Sequence, residues 1–185
     1  MTVLKVGIIG CGGIARGKHF PSLAQVKEVE MVAFCDIVVE RAEEAQEQYG
    51  TADSQVFSDY KEMLAAMDLD VVHVCTPNIS HAEISIAALE AGNHVMCEKP
   101  MAKTTAEARE MIEVAKRTGK KLTIGYQNRF ATESRYLQEV CAAGELGEIY
   151  SAKAHAIRRR AVPTWGVFLD EEAQGGGPLI DIGTH

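Results

Sequence analysis

No apolar run in this 185-residue sequence approaches the ~20 residues that a membrane-crossing helix requires. Met1-Thr2-Val3 enters an apolar stretch without the charged head of a signal peptide, so a cytoplasmic location is expected. Cys-x-x-Cys spacing is also missing. The five cysteines (Cys11, Cys35, Cys75, Cys97 and Cys141) are scattered, which leaves no zinc-ligand pattern and predicts reduced thiols that pack as small hydrophobes. Basic charge is scarce: 19 Lys and Arg face 26 Asp and Glu, and no basic stripe stands out. A net charge of −7 disfavours nucleic acid and an acidic membrane surface as partners. Repeats and low-complexity segments are absent.

What is present begins with glycine. Val3–Ile9 reads as a short buried strand, and Gly10-Cys11-Gly12-Gly13-Ile14-Ala15 as a turn that opens a helix. The Gly10-x-Gly12-x-x-Ala15 spacing lets a backbone turn tightly, approach a pyrophosphate and pack a helix closely on its strand. The helix start after Gly12 offers unpaired amides and a partial positive charge, both suited to an anion. Alone, the pattern is also compatible with a plain turn. A second apolar run, Glu30–Asp36, ends in a carboxylate 24 residues after Gly12, close to the ~20 at which an acidic residue meets a dinucleotide's adenosine ribose. Asp36 would accept from both ribose hydroxyls and repel a 2′-phosphate, which favours NAD over NADP. Arg41, read as a solvated helix residue, is the one complication.

The alternation of strand and helix then continues. Between the first two strands a helix is expected, interrupted near Pro21. Helices are predicted over 38–49, 58–67, 80–91 and 104–119, the last opened by the capping box Thr104-x-x-Glu107. Strands are predicted over 55–57, 70–76, 94–97 and 122–126. Six strands with intervening helices describe an α/β, doubly wound parallel sheet over residues 1–126. From residue 127 the pattern changes. A helix over 132–143 leads into an extended run, 148–160, which reads as a long strand without a partner; a Pro163 and Trp165 loop and Gly175-Gly176-Gly177 follow. Residues 127–185 therefore read as the beginning of an α+β domain, either part of a longer fold or one whose missing strands come from elsewhere.

Ligands of open parallel sheets gather beyond the carboxyl ends of the strands. Thr76, Asn78 and His81 fall there after strand four, Glu98 and Lys99 after strand five, and Asn128 after strand six. Taken alone, Lys99 reads as a surface lysine paired with Glu98. At a strand terminus facing a cofactor cleft it can instead donate to a substrate hydroxyl and favour loss of its proton. The Lys99-Pro100 bond is a candidate cis peptide. If residues 178–185 are helical, Asp181 and His185 share a face, either as a surface pair or as a base and its orienting carboxylate. His73 reads as a core residue, His19, His94 and His155 as structural, Arg158 and Arg160 as solvated charge or a substrate contact, and Trp165 as packing or a sugar platform.

Gly10–Ala15, Glu98-Lys99-Pro100 and Asp181-Ile182-Gly183-Thr184-His185 together resemble the Gfo/Idh/MocA oxidoreductase family, in order along the whole chain. The resemblance implies an N-terminal Rossmann domain and a C-terminal α+β domain on an open, mostly antiparallel sheet that often mediates homo-oligomers. It implies Lys99, Asp181 and His185 as the catalytic trio, with His185 taking the proton of a hydroxyl whose carbon gives hydride to nicotinamide. Gly10, Gly12, Ile14, Asp36, Thr76, Asn78, His81, Glu98 and Asn128 match its cofactor-contacting positions. The implied substrate is a sugar, inositol or related polyol. NAD-dependent glycoside hydrolysis and a non-catalytic NAD-binding regulator are the alternatives within the same resemblance.

Overall fold

β1 (Leu4–Ile9) shows why the chain folds as a sheet with two covered faces. Val6 and Ile8 are buried in one apolar cluster and Ile9 in the other, as the two-residue strand period requires. The computed structural model describes residues 2–157, 159–160, 163–164 and 166–185. β2 (Val29–Cys35), β3 (Gln55–Phe57), β4 (Val71–Val74), β5 (His94–Cys97) and β6 (Leu122–Ile124) complete one six-stranded sheet in the order β3-β2-β1-β4-β5-β6. Every pairing is parallel. The order reverses between β1 and β4, and the carboxyl ends of these two strands frame the crevice where such sheets take ligands.

Helices cover both faces. On one side lie Phe20 of α1 (Phe20–Leu23) and Ala42 and Ala45 of α2 (Val39–Tyr49), against Val6, Ile8 and Phe34. On the other lie Met63 of α3 (Tyr60–Ala66), Ala88 and Leu89 of α4 (His81–Glu90), and Met111 and Val114 of α5 (Thr105–Thr118), against Val72, Val74 and Val95. The capping box of α5 forms in both directions, and Gly119 closes that helix in the left-handed conformation.

The interruption expected near Pro21 takes the form of a π-helical turn, Ala15–His19. The helical run continues from that turn into α1, so Pro21 lies inside it, and the local change of hydrogen-bond ladder sits just before the residue that cannot donate. The expected strand over 148–160 is not formed: among the described residues no strand follows β6. Tyr150 and Ile157 are 94% and 84% exposed, as befits a segment with no ladder partner. Before it stands α6 (Thr132–Ala142); after it come two single-turn helices, α7 (Glu171–Gln174) and α8 (Pro178–Asp181). Arg158 and Trp165 lie outside the described residues. No helix among the described residues is long and apolar enough to cross a membrane.

Candidate active site

The glycine turn after β1 is shaped by contacts that exclude side chains. Gly10 has φ +93°, and a Cβ there would stand 2.7–2.9 Å from the backbone of Cys75 and Thr76 beyond β4. Asp36, buried at the end of β2, reaches back to this turn. Its Oδ2 accepts from Cys11 N–H at 2.8 Å and its Oδ1 from Val38 N–H at 2.9 Å. Each carboxylate oxygen keeps a second acceptor site, so the group stays able to take hydroxyls. Arg41 approaches Oδ1 at 3.8 Å from the half-exposed side.

The surroundings fit a dinucleotide. The amides of Gly12, Gly13 and Ile14 open the helical segment, where first-turn N–H groups have no intrahelical acceptor. Nothing lies within 4 Å of a Cβ placed on Gly12 or Gly13, so the approach to these amides is clear. Thr76 Oγ1, at the crevice, is buried without a hydrogen-bond partner among the described residues, a group suited to a polar ligand atom.

Across the crevice, β5 delivers Lys99. The Lys99-Pro100 peptide is cis. Lys99 Nζ donates to Asp181 Oδ1 at 2.7 Å and to the Asp181 carbonyl at 3.1 Å, joining residues 82 positions apart. Both side chains are about one-fifth exposed, at 19% and 24%, shielded enough for the pair to matter yet open to a substrate. The helix expected over 178–185 ends at Asp181, so the shared helical face is not how His185 is placed. Its backbone N–H bonds the Ile182 carbonyl, and its ring meets Tyr126 edge-to-face at 6.3 Å between centroids. Gly175-Gly176-Gly177 and Gly183 leave this stretch without a continuous regular ladder.

Three of the expected cofactor contacts are engaged within the protein. His81 is buried, with Nδ1 2.7 Å from the Pro100 carbonyl and Nε2 2.8 Å from the Thr76 carbonyl; it staples the two crevice loops together. Burial lowers its pKa, against the pull of these two carbonyls and of Glu98. Asn78 Nδ2 donates to Gln174, at 3.0 Å to its carbonyl and 2.8 Å to its Oε1, which docks α7 on the loop after β4. Glu98 is buried and has both oxygens occupied, by His19 Nε2 at 2.9 Å and Lys99 N–H at 3.1 Å. Burial raises its pKa, but the hydrogen bond and charge of His19 and the Lys99 amide outweigh this, and the net displacement is downward. Asn128 is exposed in a 3₁₀ turn, Gln127–Phe130, and its carbonyl accepts from Ala131 N–H.

Residues 4–126 match the family described as "Oxidoreductase family, NAD-binding Rossmann fold", and residues 134–185 match "GFO/IDH/MocA C-terminal domain". The chain belongs to the Gfo/Idh/MocA oxidoreductase family. Among relatives within it, the D-glucoside 3-dehydrogenase of Escherichia coli K12 is 48% identical over 182 residues, covering 98% of this chain and 51% of the relative. Among solved structures, the aldose-aldose oxidoreductase of Caulobacter crescentus, complexed with glycerol, is 29% identical with a TM-score of 0.82, over 97% of this chain and 54% of that one. The scyllo-inositol dehydrogenase of Lactobacillus casei, with bound NAD(H) and scyllo-inositol, is 26% identical with a TM-score of 0.74, over 80% of this chain and 43% of that one. The chain thus spans about half the length of the relatives it matches.

Two features of the site escaped the sequence reading. His19 and His73 are 54 residues apart and lack a spaced motif, yet their Nδ1 atoms meet at 2.9 Å beside Glu98. Gln174 carries no local signal for its contact with Asn78; only the folding of the tail onto the crevice brings the two together.

Proposed function

We propose that this chain forms the cofactor-binding and catalytic part of an NAD-dependent dehydrogenase that oxidises a secondary alcohol of a sugar, inositol or related polyol to a ketone. The observation that carries the reading is the Lys99–Asp181 contact at the carboxyl edge of a NAD-binding type of sheet. An ammonium held by a carboxylate beside the crevice can bind an alcohol oxygen and stabilise the negative charge that grows on it as its proton leaves. Residues 1–126 then serve as the dinucleotide-binding domain and 127–185 as the beginning of the substrate domain.

In this reading Lys99 donates to the substrate oxygen and Asp181 orients the lysine. His185 accepts the hydroxyl proton as the C–H bond breaks with its electron pair, which leaves a carbonyl. Bound NAD supplies the acceptor for that hydride. Gly10, Gly12 and Ile14 line the diphosphate turn, Asp36 takes the adenosine ribose, and Thr76 offers its unpartnered hydroxyl. Asp36 also sets the preference for NAD, because a 2′-phosphate would meet its carboxylate. Asn78, His81 and Glu98, held in the crevice walls by their protein partners, would meet the cofactor from there, and Asn128 stands exposed at the far wall. The 48% identity to a glucoside dehydrogenase makes D-glucosides the first substrates to try.

The test is NADH formation by the protein that carries this chain, on a panel of glucosides, free sugars and inositols. At least one should yield free NADH in proportion to substrate consumed. His185→Ala should lower kcat by roughly 10²–10⁴-fold with NAD affinity changed less than about threefold. No NADH from any member, or equal loss of turnover and NAD binding in the variant, would contradict the proposal.

A further inference from the structure

The site contains a buried chain of polar groups that the proposed chemistry does not use. His19 is the last residue of the π-helical turn that follows the glycine loop, and its side chain is 6% exposed. His73 lies within β4, and Glu98 follows β5. Their contacts run in series: His73 Nδ1 to His19 Nδ1 at 2.9 Å, His19 Nε2 to Glu98 Oε1 at 2.9 Å, then Glu98 Oε2 to the Lys99 amide at 3.1 Å. The next atoms along that residue end at the ammonium on Asp181. One path thus links the phosphate-facing helix to the lysine proposed for catalysis.

The carboxylate is boxed on its remaining side. A Cβ on Gly125, just past β6, would stand 3.2 Å from Glu98 Oε1, tighter than ordinary contact, so a side chain there would press on the carboxylate. An ionised carboxylate only accepts hydrogen bonds, so His19 Nε2 carries a proton. The proton between the two Nδ1 atoms then ties His19 to β4, and the ring cannot turn without losing both bonds.

We infer that His19 is a positioning residue: through Glu98 it holds the turn that carries Lys99 and so sets the lysine's aim at the substrate oxygen. The dehydrogenase reading of Lys99 underlies this role, but the hold on the turn exists apart from it. Removing the His19 donor leaves a buried carboxylate with one fewer partner, and the adjoining peptide is free to shift. Displacement of a reacting group by even an ångström slows catalysis without weakening cofactor binding.

The experiment compares His19→Asn, whose amide reaches toward His73 but not Glu98, with His19→Gln, whose amide reaches Glu98. In the protein that carries this chain, His19→Asn should lower kcat about 10- to 100-fold, while the KM for substrate and the Kd for NAD move less than about threefold. His19→Gln should recover most of the loss. A second readout needs no substrate: modification of Lys99 by an amine-reactive reagent, followed by mass spectrometry of its peptide, should run at least about fivefold faster in His19→Asn than in the parent or His19→Gln. Equal Lys99 modification in all three proteins would overturn the inference, as would His19→Asn turning over at the parent rate or His19→Gln failing as badly as His19→Asn. Should the parent reduce no NAD with any polyol, the dehydrogenase reading falls, and the Lys99 labelling alone decides whether His19 holds the turn.

Discussion

At the scale of single residues, the site is built from groups whose protonation burial biases. Burial and the neighbouring His19 push the His73 pKa down from 6.5 to about 4. Burial also lowers that of His81, and Glu98 is displaced below its ordinary 4.5. All three act in the same direction on stability. Between pH 6.5 and about 4 the unfolded chain protonates His73 while the folded protein does not, so the unfolded state binds more protons there. The stability is complete above pH 6.5 and is lost as pH falls through this window. Glu98 adds a further loss below pH 4.5, where only the unfolded carboxyl takes a proton. The melting temperature should therefore fall steadily on acidification from neutrality, and His73→Asn should flatten the slope. Thermal unfolding followed by circular dichroism at a series of pH values reads this; an unchanged melting temperature across the window would contradict the burial of a neutral His73.

At the scale of elements, the turns after the strands decide where chemistry can occur. The turn after β1 is the tightest, because Gly10 combines a positive φ with a close approach to the backbone of Cys75 and Thr76. Gly10→Ala should destabilise the protein by about 2 kcal/mol or more, from left-handed backbone strain together with displacement of the β4 turn. Denaturant unfolding measures the cost, and NAD titration should show weakened binding in the same variant. A variant as stable as the parent would mean that the turn is not held as described.

The six strands and the helices between them were legible in the sequence, since apolar runs bounded by glycine and proline carry that signal locally. The capping box at Thr104 and the stop at Gly119 were legible for the same reason. The irregularity near Pro21 was legible too, because a residue without an N–H disturbs a regular ladder, whereas its π-helical form shows only in the structure. The run 148–160 alternates like a strand, yet a strand exists only through its partner. His19 and Glu98 were unreadable as a pair, because two residues 79 apart meet only through the order of the sheet.

On the scale of the whole molecule, reversal of strand order between β1 and β4 opens one crevice, and the tail closes on its rim. The Lys99–Asp181 ion pair, the Asn78–Gln174 hydrogen bonds and a 2.8 Å bond from Lys103 Nζ to the Glu172 carbonyl all tie residues after 170 to the sheet's carboxyl edge. The first half of the site is therefore a property of the parallel sheet. The second depends on how a short, glycine-rich segment docks against it. Apolar residues beyond β6, such as Phe130, Tyr136 and Tyr150, are left exposed.

The most direct measurement follows the hydrogen itself. The protein that carries this chain is given NAD and a glucoside or inositol deuterated on its ring carbons, and the reduced cofactor is analysed by mass spectrometry and proton NMR. Transfer of one deuterium to the nicotinamide ring, lost when Lys99 is replaced by methionine while NAD still binds, is the predicted result. Reduced cofactor without deuterium, or undiminished transfer in the Lys99→Met variant, would contradict hydride transfer at this crevice.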